Sequence, residues 1–273
     1  MTPPAASQSL RNYLEYSRIG FVNILAFRLR YYTGVATYLI NVTVYYFIWK
    51  ALYTTDAEFA HGFSFEDMVT YVAVGWVIRS VYFNNIDQNM ASDVMEGAIA
   101  LSMLKPVTIQ ARYIGQALGE AGFRLLLLTA PTALVLTLIF PVQPPAGAAY
   151  FLLFLVSLLA SVFLMAALNF LIGTSAVRLK SILGLLRAKF FVLELLSGLL
   201  VPMTMFPPAV QTALSYLPFQ HIAYTPLRIY LGKLSLAEVR EALFVQLVWV
   251  GVLVILGGWF WKAMSRKITI HGG

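Results

Sequence analysis

Residues 148–177 read AAYFLLFLVSLLASVFLMAALNFLIGTSAV. No Asp, Glu, Lys, Arg or His interrupts the run, and Asn169 is the one strongly polar side chain in it. A helix crosses the hydrocarbon core with about 20 consecutive apolar residues, so this stretch is long enough to span a bilayer. Arg178, Lys180, Arg187 and Lys189 follow at once. Such a basic cluster marks the cytoplasmic boundary of a span. The preceding stretch, 141–147, carries no charge and three prolines and reads as a tight turn on the opposite side.

Working outward, the same signals recur. Apolar runs over 32–53, 68–89, 109–140, 182–201 and 242–261 predict five further spans, giving an all-α integral membrane protein of about six transmembrane helices in one domain, residues 1–273. Basic residues collect in segments assigned inside, among them Arg11, Arg18, Arg28, Arg30, Lys105, Arg112, Lys262, Arg266 and Lys267; the segments assigned outside hold Arg228, Lys233 and Arg240. That bias predicts both ends in the cytoplasm. Residues 7–30 alternate apolar and charged side chains, with four arginines, and predict an amphipathic helix lying in the headgroup layer. The first residues lack the charged-then-apolar layout of a signal peptide, so insertion is expected to use an uncleaved first span.

Composition agrees. Hydrophobic residues make up 60% and charged residues 11% of the chain, with mean hydropathy +0.77. A soluble domain carries about a quarter charged residues, so lipid must cover this surface. The absence of cysteine removes disulfides, thiolate metal sites and a cysteine nucleophile. His61, His221 and His271 lack metal-ligand spacing, so no metal site is expected. The net charge of +7 sits at span boundaries rather than on a basic stripe with stacking aromatics, which argues against nucleic acid.

Residues 202–241 hold Pro202, Pro207, Pro208, Pro218 and Pro226 yet stay largely apolar. They are too broken for one spanning helix. Two short helices, 208–216 and 220–231, dipping in from outside, are expected.

No phosphate-binding Gly-rich loop with Lys, no Gly-x-Ser-x-Gly and no His-Glu-x-x-His occurs, so no catalytic residue is assigned. Glu66-Asp67 and Glu238/Glu241 read as a helix start and a solvated face. Within the apolar stretches Arg79, Glu120, Arg124 and Glu194 remain; such residues face a bundle interior and are structural pairs or line a path. Glu120 and Arg124 are spaced to pair along one helix face. Arg187 or Lys189 is within sequence reach of Glu194, whereas Arg79 has no opposite charge three or four residues away. Ala111, Gly115 and Gly119 form a small-residue stripe suited to close helix packing.

Four pieces, in order, resemble the permease subunit of bacterial type-2 ABC exporters, the branch with a separately encoded ATPase. They are the basic amphipathic helix ending Phe27-Arg28-Leu29-Arg30-Tyr31-Tyr32; the run Asp93-Val94-Met95-Glu96-Gly97-Ala98-Ile99 through Leu104-Lys105-Pro106; the segment Leu196-Ser197-Gly198 through Pro202, Phe206-Pro207, Leu217-Pro218-Phe219 and Tyr224-x-Pro226 to Gly232; and the basic tail ending Gly272-Gly273. The resemblance implies that 91–106 is a coupling segment docking on an ATPase and that 202–241 is a re-entrant helical pair. It implies a multi-pass protein of the bacterial inner membrane, working as a homodimer or a paralogous heterodimer with two cytosolic ABC ATPase subunits. ATP and magnesium would act through those partners, with no cofactor on this chain. A path at the dimer interface would be lined by the first, second and fifth helices.

The residue pattern fits that role. Met95, Ile99 and Met103, four apart, offer an apolar ridge for a partner's groove. Asp93 and Glu96 near the start of the segment suit a helix dipole. Few ionisable groups along the spans favour an amphiphilic or hydrophobic cargo. The rival readings are an ion-gradient transporter or channel, for which inverted repeats and midplane acids on broken helices would speak, and a non-transporting membrane assembly factor.

Overall fold

The computed structural model describes residues 14–19, 21–22, 29–55, 62–179 and 182–266. Among these, 82% are helical and no strand occurs, so the fold is all-α. Most of the amphipathic helix expected over 7–30, the acidic loop residues Asp56 and Glu58, Lys180, and the tail from Lys267 lie outside the described residues.

A short helix, α1 (14–19), precedes α2 (Leu29–Thr55). α3 (Phe65–Tyr82) starts in a capping box: Ser64 Oγ accepts from Asp67 N, and Asp67 accepts from Ser64 N. α4 (Ile86–Met95) and α5 (Ala98–Met103) are short and lead into α6 (Ile109–Arg124). A π-helical turn, Leu125–Thr129, joins α6 to α7 (Ala130–Ile139). α8 (Ala148–Thr174), α9 (Leu183–Leu196), α10 (Pro208–Ser215), α11 (Tyr224–Tyr230) and α12 (Leu236–Ser265) complete the chain.

Among the described residues four helices are long and apolar enough to cross a membrane: Thr33–Thr55, Ile109–Ile139, Ala148–Val177 and Leu236–Ser265. α8 is the hub, with α3, α4, α6, α11 and α12 packed around it. Its polar residues face these neighbours instead of lipid. Gln246 on α12 donates to Ser157 O and Ser161 Oγ on α8 and to His221 O, while Ser157 Oγ donates back to Gln246 Oε1. Such side-chain bonds hold apolar helices together where the hydrophobic effect does not.

Three expected spans differ in detail. The helix expected over 68–89 stops at Tyr82, because Phe83 turns extended (φ −62°, ψ 132°) and Asn84 Oδ1 accepts from Ile86 N in competition with the helix. The span over 109–140 carries the π turn because Pro131 has no N–H to donate, and Ala130 N reaches back five residues to Leu125 O. The helix expected over 182–201 runs 14 residues, Leu183–Leu196, or about 21 Å at 1.5 Å per residue. Gly198 ends it in the left-handed region, φ +76°, with Tyr224 Cβ 2.9 Å from where its own Cβ would stand. Only glycine fits this turn.

The proline-rich segment uses each proline as punctuation. Pro202 and Pro207 hold extended backbone before a 3₁₀ turn (Met203–Met205) and α10, Pro208 opens α10, and Pro218 precedes the 3₁₀ turn Phe219–His221. Pro226 sits buried in the first turn of α11, where a missing N–H costs nothing. Tyr71 Oη donates to Gly198 O and Tyr224 N to Ser197 O, which locks this segment onto α3 and α9.

Candidate functional site

The break at Phe83–Asn85 organises a buried polar cluster. Its freed carbonyls find partners on two other helices: Arg124 on α6 donates to Phe83 O, and Asn169 Nδ2 on α8 donates at 2.9 Å to both Asn84 O and Asn84 Oδ1. Arg124 is also held by Glu120 at 3.1 Å, one helical turn away. Lys189 on α9 donates to Asp87 on α4 and, at 2.9 Å, to Asn169 Oδ1. Arg79 donates from Nε to Glu194 Oε1 at 2.7 Å. Its guanidinium lies 5.1 Å from the Trp76 and Phe83 rings and 5.3 Å from Phe190.

All four ionisable residues singled out within the apolar stretches of the sequence are therefore paired: Arg79 with Glu194, and Glu120 with Arg124. The partner of Glu194 is Arg79, not Arg187 or Lys189. Lys189 faces the other way along α9, toward Asp87. Asp87, Lys189, Asn84 and Asn169 belong to the cluster but were not selected from the sequence. The lone Asn169 in an apolar run was the available signal, since such a side chain needs an interhelical partner.

Two clefts flank the break. One, about 430 Å³, lies between Asn85, Gln88 and the α9 residues Leu186, Lys189 and Phe190. The other, about 350 Å³, lies between Asn85, Gln88 and Gly34, Tyr38 and Arg124.

Beyond the break, the α4–α5 segment forms an elbow. Gly97, at φ +76°, ends one helix and lets the next begin at Ala98. The left-handed turn breaks the expected ridge: Ile99 points inward, packed among Met90, Ile109, Tyr113 and Phe170. The exposed apolar side chains are instead Met95 (65%), Met103 (45%), Leu101 (70%) and Leu104 (81%). Glu96, Lys105 and Pro106 are exposed beside them.

Asp93 and Glu96 thus sit at the end of α4, not at a helix start, and the dipole argument does not hold for them. Asp93 is a brace. It accepts from Tyr113 Oη at 2.6 Å and pairs with Arg112 at 3.5 Å, and Arg112 also donates to Ser102 Oγ on α5. The elbow is rigidly carried by the start of α6. Farther along α6, Ser17 Oγ donates to Gly115 O at 3.0 Å, and the Phe21 and Phe123 rings meet edge to face at 5.2 Å.

A family model described as ABC-2 family transporter protein matches residues 39–272. The chain belongs to this family. It is an ABC-2 type permease, a multi-pass membrane component of a transport system. A search of curated proteins returns no match. Among the described residues of the permease no group of His, Cys, Asp or Glu is arranged to hold a metal ion.

Proposed function

We propose that this permease is the membrane-spanning half of an ATP-driven exporter of the inner membrane. It dimerises, and a cytosolic ABC ATPase pair binds the α4–α5 elbow. Hydrolysis, with ATP and magnesium, belongs to those partners. In this reading α3–α4 and α9 complete six spans despite their short helices, residues 202–241 form an outer re-entrant segment, and both ends face the cytoplasm. The cargo is amphiphilic or hydrophobic, and the paired residues Arg79, Glu194, Glu120 and Arg124 hold the helices along its path.

One observation carries the proposal: Leu101, Met103 and Leu104 stand exposed on a short helix whose other face is anchored through Ile99 and Ser102. Large apolar side chains presented on a polar, braced elbow are what a groove-forming partner takes up. Because Asp93, Arg112 and Tyr113 tie the elbow to α6, a push on it is transmitted into a membrane-length helix.

Co-expression with an ABC ATPase and purification through a tag on the permease tests this. The expected result is a stable complex whose ATP hydrolysis depends on the permease and drops at least tenfold in Leu101→Glu/Leu104→Glu, with the permease still inserted. Full hydrolysis and unchanged co-purification in that variant would overturn the elbow as the docking point.

A further inference from the structure

A separate cleft of about 260 Å³ opens between α10, α11 and the first turns of α12. Its floor is buried and polar: His221, Tyr224 and Thr225 are each about 95% inaccessible. His221 Nδ1 lies 3.0 Å from Thr225 Oγ1, but its Nε2 is buried without a hydrogen-bond partner among the described residues. Leaving a buried polar atom without a partner is costly, so the packing beneath this cleft is incompletely satisfied.

The walls carry both signs of charge. Arg228 lies with its guanidinium 5.4 Å from the Tyr224 ring, and Glu238 and Glu241 line the α12 side. None of the three takes part in an ion pair within 4.0 Å among the described residues. A simple anion entering here meets two carboxylates, and a simple cation meets Arg228. A ligand bearing both charges bridges the gap and satisfies both walls.

Position and size narrow the class. α12 has 30 residues, about 45 Å at 1.5 Å per residue, against a hydrocarbon core of about 30 Å. Its first turns, with Glu238 and Glu241, therefore stand at headgroup depth. The cleft is smaller than the roughly 300–1,000 Å³ of drug-sized sites, and Leu234, Ala242 and Val245 give it an apolar edge. We infer that this cleft binds a zwitterionic phosphoethanolamine headgroup, with phosphate on Arg228 and ammonium between Glu241 and the second oxygen of Glu238, whose Oε2 already accepts from Ser235 N at 2.7 Å. The inference is independent of which partner drives transport.

Native mass spectrometry of the detergent-purified permease, titrated with phosphatidylethanolamine or phosphatidylglycerol of matched chains, tests it. Phosphatidylethanolamine is expected to be retained at least tenfold better, and Arg228→Gln and Glu241→Gln are each expected to abolish that preference. Arg240→Gln, exposed on the same helix but outside the cleft, keeps it. Soluble glycerophosphoethanolamine distinguishes the sources: displacement at millimolar concentration assigns the headgroup alone, and failure to displace assigns the intact lipid. Equal retention of the two lipids, or a preference that survives both substitutions in variants with unchanged melting temperature, overturns the site.

Discussion

Arg79 on α3 and Glu194 on α9 form an ion pair across 115 residues of sequence, with the guanidinium held among Trp76, Phe83 and Phe190. α9 buries few of its own side chains, Leu186 and Leu193 among them. Together with Lys189–Asp87, this pair is therefore a principal tether of α9 to the bundle. Breaking a buried pair by removing one partner costs about 3–5 kcal/mol, whereas removing both charges is close to neutral. Glu194→Gln is expected to lower the apparent melting temperature in detergent by several degrees, and Arg79→Met/Glu194→Leu to recover most of the loss. A melt of Glu194→Gln that overlays the parent would show that the tether lies elsewhere.

Gly119 touches the α1 segment more closely than any side chain would permit. A Cβ there would stand 1.9 Å from Ser17 O, a hard clash with backbone, while a Cβ at Gly122 would meet nothing within 4 Å. Gly119→Ala must push residues 14–19 off α6; Gly122→Ala must not. Limited proteolysis is expected to cut near Ser17 several times faster in Gly119→Ala and at the parental rate in Gly122→Ala.

The apolar run 148–177 and the prolines of 202–241 carry their structural meaning locally, through length and fixed backbone angles, and so could be read directly. The Glu120–Arg124 pair follows from helical spacing alone. The remaining features depend on residues distant in sequence. The break at Phe83–Asn85 holds because Arg124 and Asn169 satisfy its carbonyls from 41 and 85 residues away. The partners of Arg79 and Asp87 come from 115 and 102 residues away. The regular spacing of Met95, Ile99 and Met103 misled because Gly97 resets the helix phase between the first two. Glycine tolerates positive φ but does not require it, so the sequence alone left that turn open.

Asp93 and Glu96, three residues apart on one segment, should respond differently to substitution. Asp93 accepts from Tyr113 and pairs with Arg112, so Asp93→Ala leaves a buried hydroxyl and a half-buried cation without their acceptor. A loss of about 1–3 kcal/mol is expected, seen as a lower melting temperature together with weaker ATPase coupling. Glu96 is exposed, and Glu96→Lys is expected to stay within about 0.5 kcal/mol of the parent while weakening partner binding. Equal melting temperatures for the two variants would show that the brace contributes nothing to stability.

His221 should make stability depend on pH. Burial pushes its imidazole down from the ordinary 6.5 to about 4, so the folded protein keeps it neutral where the unfolded chain has already taken up a proton. Between these values the unfolded state binds more protons, and stability must fall as pH drops from about 6.5 toward 4; above 6.5 the contribution is constant. The full difference amounts to roughly 3 kcal/mol at the acid end. Arg228, Glu238 and Glu241 line the same cleft, so the comparison needed is with His221→Gln, which leaves them in place. Melting temperatures measured at pH 7.5 and pH 5 are expected to differ by several degrees more in the parent than in His221→Gln. An identical difference in the two proteins would mean that the imidazole is already charged in the fold, and that its Nε2 has found a partner.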